Sequence, residues 1–97
     1  SWFTLSDEEA LQRGFVSPYA TSNPNEDFAE TVAFLLYDPD FAENHLNDEP
    51  NCTTAACISR NEGREKIRQK VSSIVEHYEK VTNVDLYELR GAIQAKL

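Results

Sequence analysis

The stretch NEGREKIRQKVSSIVEHYEKV, residues 61–81, decides the fold. Ile67, Val71, Ile74, Tyr78 and Val81 recur at intervals of four and three, which places them on one face of a single amphipathic helix. Charged residues fill the other faces. Gly63 falls in the expected first turn, where it costs little. Downstream, Asp85-Leu86-Tyr87-Glu88 has the form of a capping box, opening a last helix with Leu86, Leu89, Ile93 and Leu97 on its buried side.

Upstream the same logic repeats. Asn23-Pro24-Asn25-Glu26 sets an N-cap, a first-turn proline and an N3 acid ahead of a helix running to about Tyr37, where Asp38-Pro39 stops it. Phe28, Val32, Leu35 and Leu36 form its core stripe, and Glu26, Glu30, Ala33 and Tyr37 share another face. Ser6-Asp7-Glu8-Glu9 is a second capping box, opening a short helix over 7–13 that Gly14 closes. Phe15 to Ser22 reads as extended loop around Ser17-Pro18, and 38–60 as the least regular part, with a short helix at most around Phe41–Leu46. No stretch alternates with period two, so the fold class is all-α, with about four helices. The expected organisation is one unit over 1–97: a segment 1–37, an irregular loop 38–60, and two amphipathic helices over 61–97.

Seventeen acids against nine bases give the 97 residues a net charge of −8 and a pI near 4.6. Such a chain repels phosphates, which argues against nucleic acid as a partner, and no apolar run is long enough for a transmembrane segment. The charge is segregated: residues 1–51 hold eleven acids and Arg13 alone, a net of −10, while 52–97 hold six acids and eight bases, a net of +2. There is no Met, position 1 included, so the chain is expected to be a piece of something longer.

Cys52 and Cys57 allow three readings, in the order of a local disulfide, two free thiols and half of a zinc site. His45 lies in a polar loop and His77 beside the apolar stripe of the long helix, neither near a nucleophile. By local physics alone Glu26 is the reciprocal partner of its capping box, and Glu30 a solvated acid one turn on.

The stretch from Tyr19 to Glu30 also resembles the third-ligand segment of glutamate-type zinc metallopeptidases. It is similar to the catalytic domain of lethal-factor toxins. It is more similar still to the zinc-binding metallopeptidases found as bacterial envelope lipoproteins, the substrate import-associated zinc metallohydrolases. Tyr19, six residues, Glu26 and then Asp27-Phe28-Ala29-Glu30 carry the resemblance, and the run from Tyr78 through Leu89-Arg90 looks like the carboxy-terminal helices of the lipoprotein family. The resemblance implies a C-terminal helical subdomain of a zincin-like metallopeptidase. Glu26 would be the carboxylate ligand of a catalytic zinc, Tyr19 the donor to the oxyanion, and Glu30 a brace for a ligand histidine. The remaining ligands would come from a His-Glu-x-x-His helix, whose Glu would serve as general base.

No His-Glu-x-x-His occurs in these residues: Leu46 follows His45, and Tyr78 follows His77. The expectation is therefore a fragment, inactive and metal-free alone, whose parent carries the zinc, acts on a peptide or protein substrate and holds the histidine helix upstream. The resemblance also implies a bacterial cell-envelope location, periplasmic or as an outer-membrane lipoprotein. Two other readings stand beside it. One is a non-catalytic acidic helical binding or scaffold domain with a basic partner; the other is a relative that kept the helix and lost the metal.

Overall fold

In a computed structural model, which describes residues 4–97, helices are the only regular secondary structure, with no strand among those residues. Four α-helices follow in order: α1 (Asp7–Gln12), α2 (Pro24–Tyr37), α3 (Ala55–Thr82) and α4 (Leu86–Gln94). A 3-10 turn, Tyr19–Ser22, precedes α2, and a π-helical turn, Ala42–Leu46, lies between α2 and α3.

The helix starts follow their caps. Ser6 Oγ accepts the Glu9 N–H at 3.1 Å and the Glu9 carboxylate reaches back to the Ser6 N–H, completing the box. Asn23 Oδ1 accepts the Glu26 N–H at 2.9 Å. Asp85 Oδ1 takes the N–H groups of Tyr87 and Glu88 at 2.9 and 3.3 Å. Asn83, left-handed at φ 59°, ends α3.

Three expectations about elements need correction. The long helix begins six residues earlier than its apolar series suggests, at Ala55, where Thr54 Oγ1 accepts the Cys57 N–H at 3.1 Å. Tyr19–Ser22 is a 3-10 turn rather than extended chain. Gly63 therefore sits inside α3, buried, where α1 crosses: a Cβ there would lie 1.7 Å from the Leu11 carbonyl oxygen. Only glycine lets the two backbones approach so closely.

The core lies where α2, α3 and α4 meet. Leu35, Phe41, Ile67, Val71 and Leu86 are all but completely buried, with Val16 and Ala20 beside them. Burying side chains of this size contributes roughly 1.5–3 kcal/mol each before entropy is charged. The amphipathic stripes fade at their ends. Val81, Leu89 and Leu97 are exposed rather than buried, and Phe28 is 41% exposed, its ring stacked 6.1 Å from that of Tyr78.

α4 does more than pack. The last carbonyls of α2 have no intrahelical partner, and α4 supplies two: Arg90 donates to the Leu35 carbonyl, and Gln94 Nε2 to that of Leu36 at 2.9 Å. A cation at a helix C-terminus also complements the helix dipole.

The charge segregation becomes complementarity within the chain. The bases of α3 pair with acids of the first half: Arg60 with Glu8 at 2.6 Å, Arg68 with Asp48 at 2.8 Å, Lys70 with Asp27 at 2.9 Å. Lys70 also donates to the Gly14 carbonyl at 2.7 Å and sits 3.9 Å above the Phe15 ring. Glu49 is the densest node. Its carboxylate takes Arg60 in a two-pronged bond (2.7 and 2.8 Å) and Arg64, a buried residue, at 2.6 Å. These bonds, Arg60 first and then Arg64, hold the Glu49 carboxyl far below its ordinary range, at about 2.

Cys52 and Cys57 form a disulfide, the first of the three readings, with Cα atoms 5.4 Å apart. Asn61 Nδ2 bonds the Glu49 carbonyl at 3.0 Å and approaches the Cys52 sulfur at 3.1 Å, so disulfide and Glu49 node together pin residues 49–57 onto α3. No helix among the described residues is long and apolar enough to cross a membrane.

Candidate functional site

Tyr19, Glu26 and Glu30 lie on two consecutive elements, the 3-10 turn and the first half of α2, which pack on each other. Pro18 precedes the turn with helical backbone angles. Thr21 closes it, its N–H and its hydroxyl donating to the Pro18 carbonyl at 3.1 and 2.7 Å. Ala20 is buried beneath the turn, while Tyr19 stays 41% exposed.

Ser17 ties this turn to α2. Its Oγ accepts the Ala20 N–H at 3.2 Å and its hydroxyl donates to Glu30 Oε1 at 3.3 Å. Glu30 is therefore no free solvated acid. One of its oxygens braces the turn that carries Tyr19, across thirteen residues of sequence.

Glu26 behaves differently. The Asn23 side chain takes its backbone N–H, but the reciprocal bond of a capping box is not made. Its half-buried carboxylate has no hydrogen bond or ion pair among the described residues. Glu26 thus offers an uncommitted carboxylate in the first turn of a helix, next to the Tyr19 turn.

His45 corrects a second reading. It is in no polar loop. The π turn folds it inward, half-buried, with the Phe34 ring edge-on at 5.4 Å and the Phe41 ring stacked at 5.6 Å. Burial lowers its pKa, opposed by the charge of Asp38, by a hydrogen bond to the Val16 carbonyl and by Asp7. Its Nδ1 is buried without a hydrogen-bond partner among the described residues. His77 is exposed on α3, its ring edge-on to Tyr78.

The donor set decides how far these residues fit a zinc. Catalytic zinc takes three protein ligands of the His, Cys, Asp or Glu type. Among the described residues no three such side chains converge into a metal-holding group. Cys52 and Cys57 are bonded to each other, and His45 is packed between two rings. The described residues thus offer single carboxylates such as that of Glu26, and no complete donor set for a zinc.

A cavity of about 550 Å³ adjoins this segment. Ser17 and, from the next turns of α2, Phe34 and Asp38 line it, together with His45 and the first turn of α1. Ser17 and this cavity escaped the sequence reading. The Ser17-Pro18 pair marks a turn start, but its bond to Glu30 is tertiary.

No curated protein and no solved structure matches the chain. Residues 1–87 match the model of a family described as putative zinc-binding metallo-peptidase, a span that includes Tyr19, Glu26 and Glu30. With nearly nine-tenths of its length so matched, the chain belongs to that zinc-binding metallo-peptidase family.

Proposed function

We propose that these residues form the C-terminal helical part of a zinc-dependent metallohydrolase, a peptidase, in which Glu26 is the carboxylate ligand of the metal. The observation that carries this reading is the state of Glu26: an acid at the helix start whose carboxylate, among the described residues, is spent neither on the cap nor on any cation. An acid kept for folding alone would be expected to close its capping box, as Glu9 does.

The other roles follow from position. Tyr19 is exposed on a turn anchored to the helix of Glu26, as a donor to a developing oxyanion requires. Glu30 holds that turn through Ser17, and its other oxygen remains for a ligand histidine. Zinc, when bound, supplies Lewis acidity towards the scissile carbonyl and acidifies water. With no His-Glu-x-x-His in these 97 residues, the histidine ligands and the general base belong to chain outside them. A bacterial envelope location accompanies this reading, and the Cys52–Cys57 disulfide suits an oxidising compartment.

The scaffold reading, an acidic half docking on a basic partner, loses support from the ion pairs. Glu8, Asp27, Asp48 and Glu49 already face the bases of α3.

The test is Glu26→Gln in the full-length protein, with zinc content and zinc-dependent peptide hydrolysis measured together. Loss of both, with the melting temperature nearly unchanged, is the expected result. Unchanged zinc content removes Glu26 as a ligand, and a full-length sequence without His-Glu-x-x-His ends the catalytic reading.

A further inference from the structure

The cavity beside Ser17 has a distinctive chemistry. Leu11, Val16 and Phe34 give it apolar walls, and three acidic residues line it, Asp7 and Glu8 from the start of α1 and Asp38 from the end of α2. Arg60 and Arg64 also line it, but both are committed: Glu49 holds the two guanidinium groups and Glu8 shares Arg60. No ion pair among the described residues engages Asp7 or Asp38. Asp38 Oδ1 accepts the Asp40 N–H at 2.9 Å, which leaves its second oxygen. Burial lowers the pKa of His45, which disfavours a positive charge there, and its buried Nδ1 has no hydrogen-bond partner among the described residues.

Each class of occupant can be weighed against these walls. An anion would meet three carboxylates and find both arginines taken. A wholly apolar group would strip water from Asp7 and Asp38 and return nothing. A cation on an apolar stem satisfies both halves: the stem lies along Leu11, Val16 and Phe34, and the head reaches Asp7 and Asp38. About 550 Å³ holds such a side chain with room to enter. Because Ser17 lines the cavity and bonds Glu30, an occupant lies against the segment that carries Tyr19.

We propose that this cavity is a substrate subsite for a lysine or arginine side chain of the peptide, with Asp7 and Asp38 determining that specificity. The inference rests on the metallopeptidase reading for the word substrate, while the binding itself does not depend on it.

The experiment titrates the full-length protein with two hexapeptides made hydrolysis-resistant by backbone N-methylation. They differ at one central residue, lysine or norleucine, which keeps the four-carbon stem and lacks the ammonium. The expected result is a lysine advantage of about tenfold in Kd, shrinking to about twofold in the Asp7→Asn/Asp38→Asn protein. The advantage should survive in Glu43→Gln/Glu62→Gln, the same change of charge at exposed positions outside the cavity. Should the double variant melt early, Asp38→Asn alone, which keeps the acceptor for Asp40, should still reduce the advantage to about threefold.

Equal binding of the two peptides by the wild type overturns the subsite, as does a lysine advantage that survives removal of both carboxylates. The readout needs no turnover. A lysine preference alongside unimpaired hydrolysis in Glu26→Gln would keep the subsite and remove Glu26 as a ligand; the opposite pair of results would do the reverse.

Discussion

Replacing Gly63 with alanine probes the closest approach in the fold. The new Cβ would lie 1.7 Å from the Leu11 carbonyl oxygen and 2.7 Å from its carbon, against 3.4 Å for ordinary contact. The oxygen must therefore retreat by about 1.7 Å, the difference of those two distances. It cannot retreat freely, because the Gly14 N–H bonds it at 2.9 Å in a turn where Gly14 already holds φ +87°. Two effects oppose each other. Alanine in a helix interior gains roughly 0.5–1 kcal/mol over glycine, while overpacking costs about 1–3 kcal/mol and falls at the upper end when the neighbour is backbone.

The clash wins, with a net loss of about 2 kcal/mol, or roughly 10 °C in Tm for a chain of this size. Gly91→Ala isolates the opposing effect, since a Cβ there meets nothing within 4 Å. It should stabilise the protein by roughly 0.5–1 kcal/mol. Urea unfolding of the two variants, followed by circular dichroism, gives changes of opposite sign if the reasoning is right. Equal stabilisation by both would show that α1 does not press on α3 at Gly63. Because α1 also carries Asp7 and Glu8 into the cavity, Gly63→Ala should weaken cationic peptide binding even where the chain remains folded.

Acid unfolding should report Glu49. Its carboxyl is lowered from 4.5 to about 2 in the folded state, so as pH falls the unfolded chain takes the proton first. Its contribution is complete above about 4.5 and disappears towards about 2. Glu49→Gln should flatten that part of the stability profile, and an unchanged profile would remove Glu49 as its source. Separately, thiol titration of the unfolded protein without reductant should find no free cysteine. Reducing Cys52–Cys57 should cost about 2 kcal/mol on the chain-entropy account of so small a ring. Two titratable thiols would refute the pairing.

Which features were legible in the sequence follows from the range of the interactions that make them. The caps at Ser6, Asn23 and Asp85 act within three residues, and each helix starts where its cap predicts. Ile67, Val71, Ile74 and Leu86 are buried as their periodicity requires. The first turn and a half of α3 was missed because its sequence, Ala55 to Arg60, lacks the apolar series that marks the rest. Gly63 was misread for a tertiary reason, since nothing within four residues announces a crossing helix. His45 was misread likewise, because one of the rings that enclose it, Phe34, comes from α2, while the other, Phe41, meets it only through the π turn.

The candidate site divides along the same line. Tyr19, Glu26 and Glu30 could be singled out only by their resemblance to the third-ligand segment of zinc metallopeptidases, since the local pattern by itself makes Glu26 a capping partner and Glu30 a solvated acid. What distinguishes the two acids is not local. Glu9 and Glu26 occupy the same N3 position behind a polar cap, yet only Glu9 turns back to close its box. Glu30 binds Ser17 from across the turn, and Glu26, one helical turn earlier on the same face, binds nothing among the described residues. An uncommitted carboxylate at a helix start still gains from the dipole, so keeping it costs the fold little. The cap and the dipole stabilise the helix without consuming the Glu26 oxygens, which is what its proposed role as a metal ligand would require.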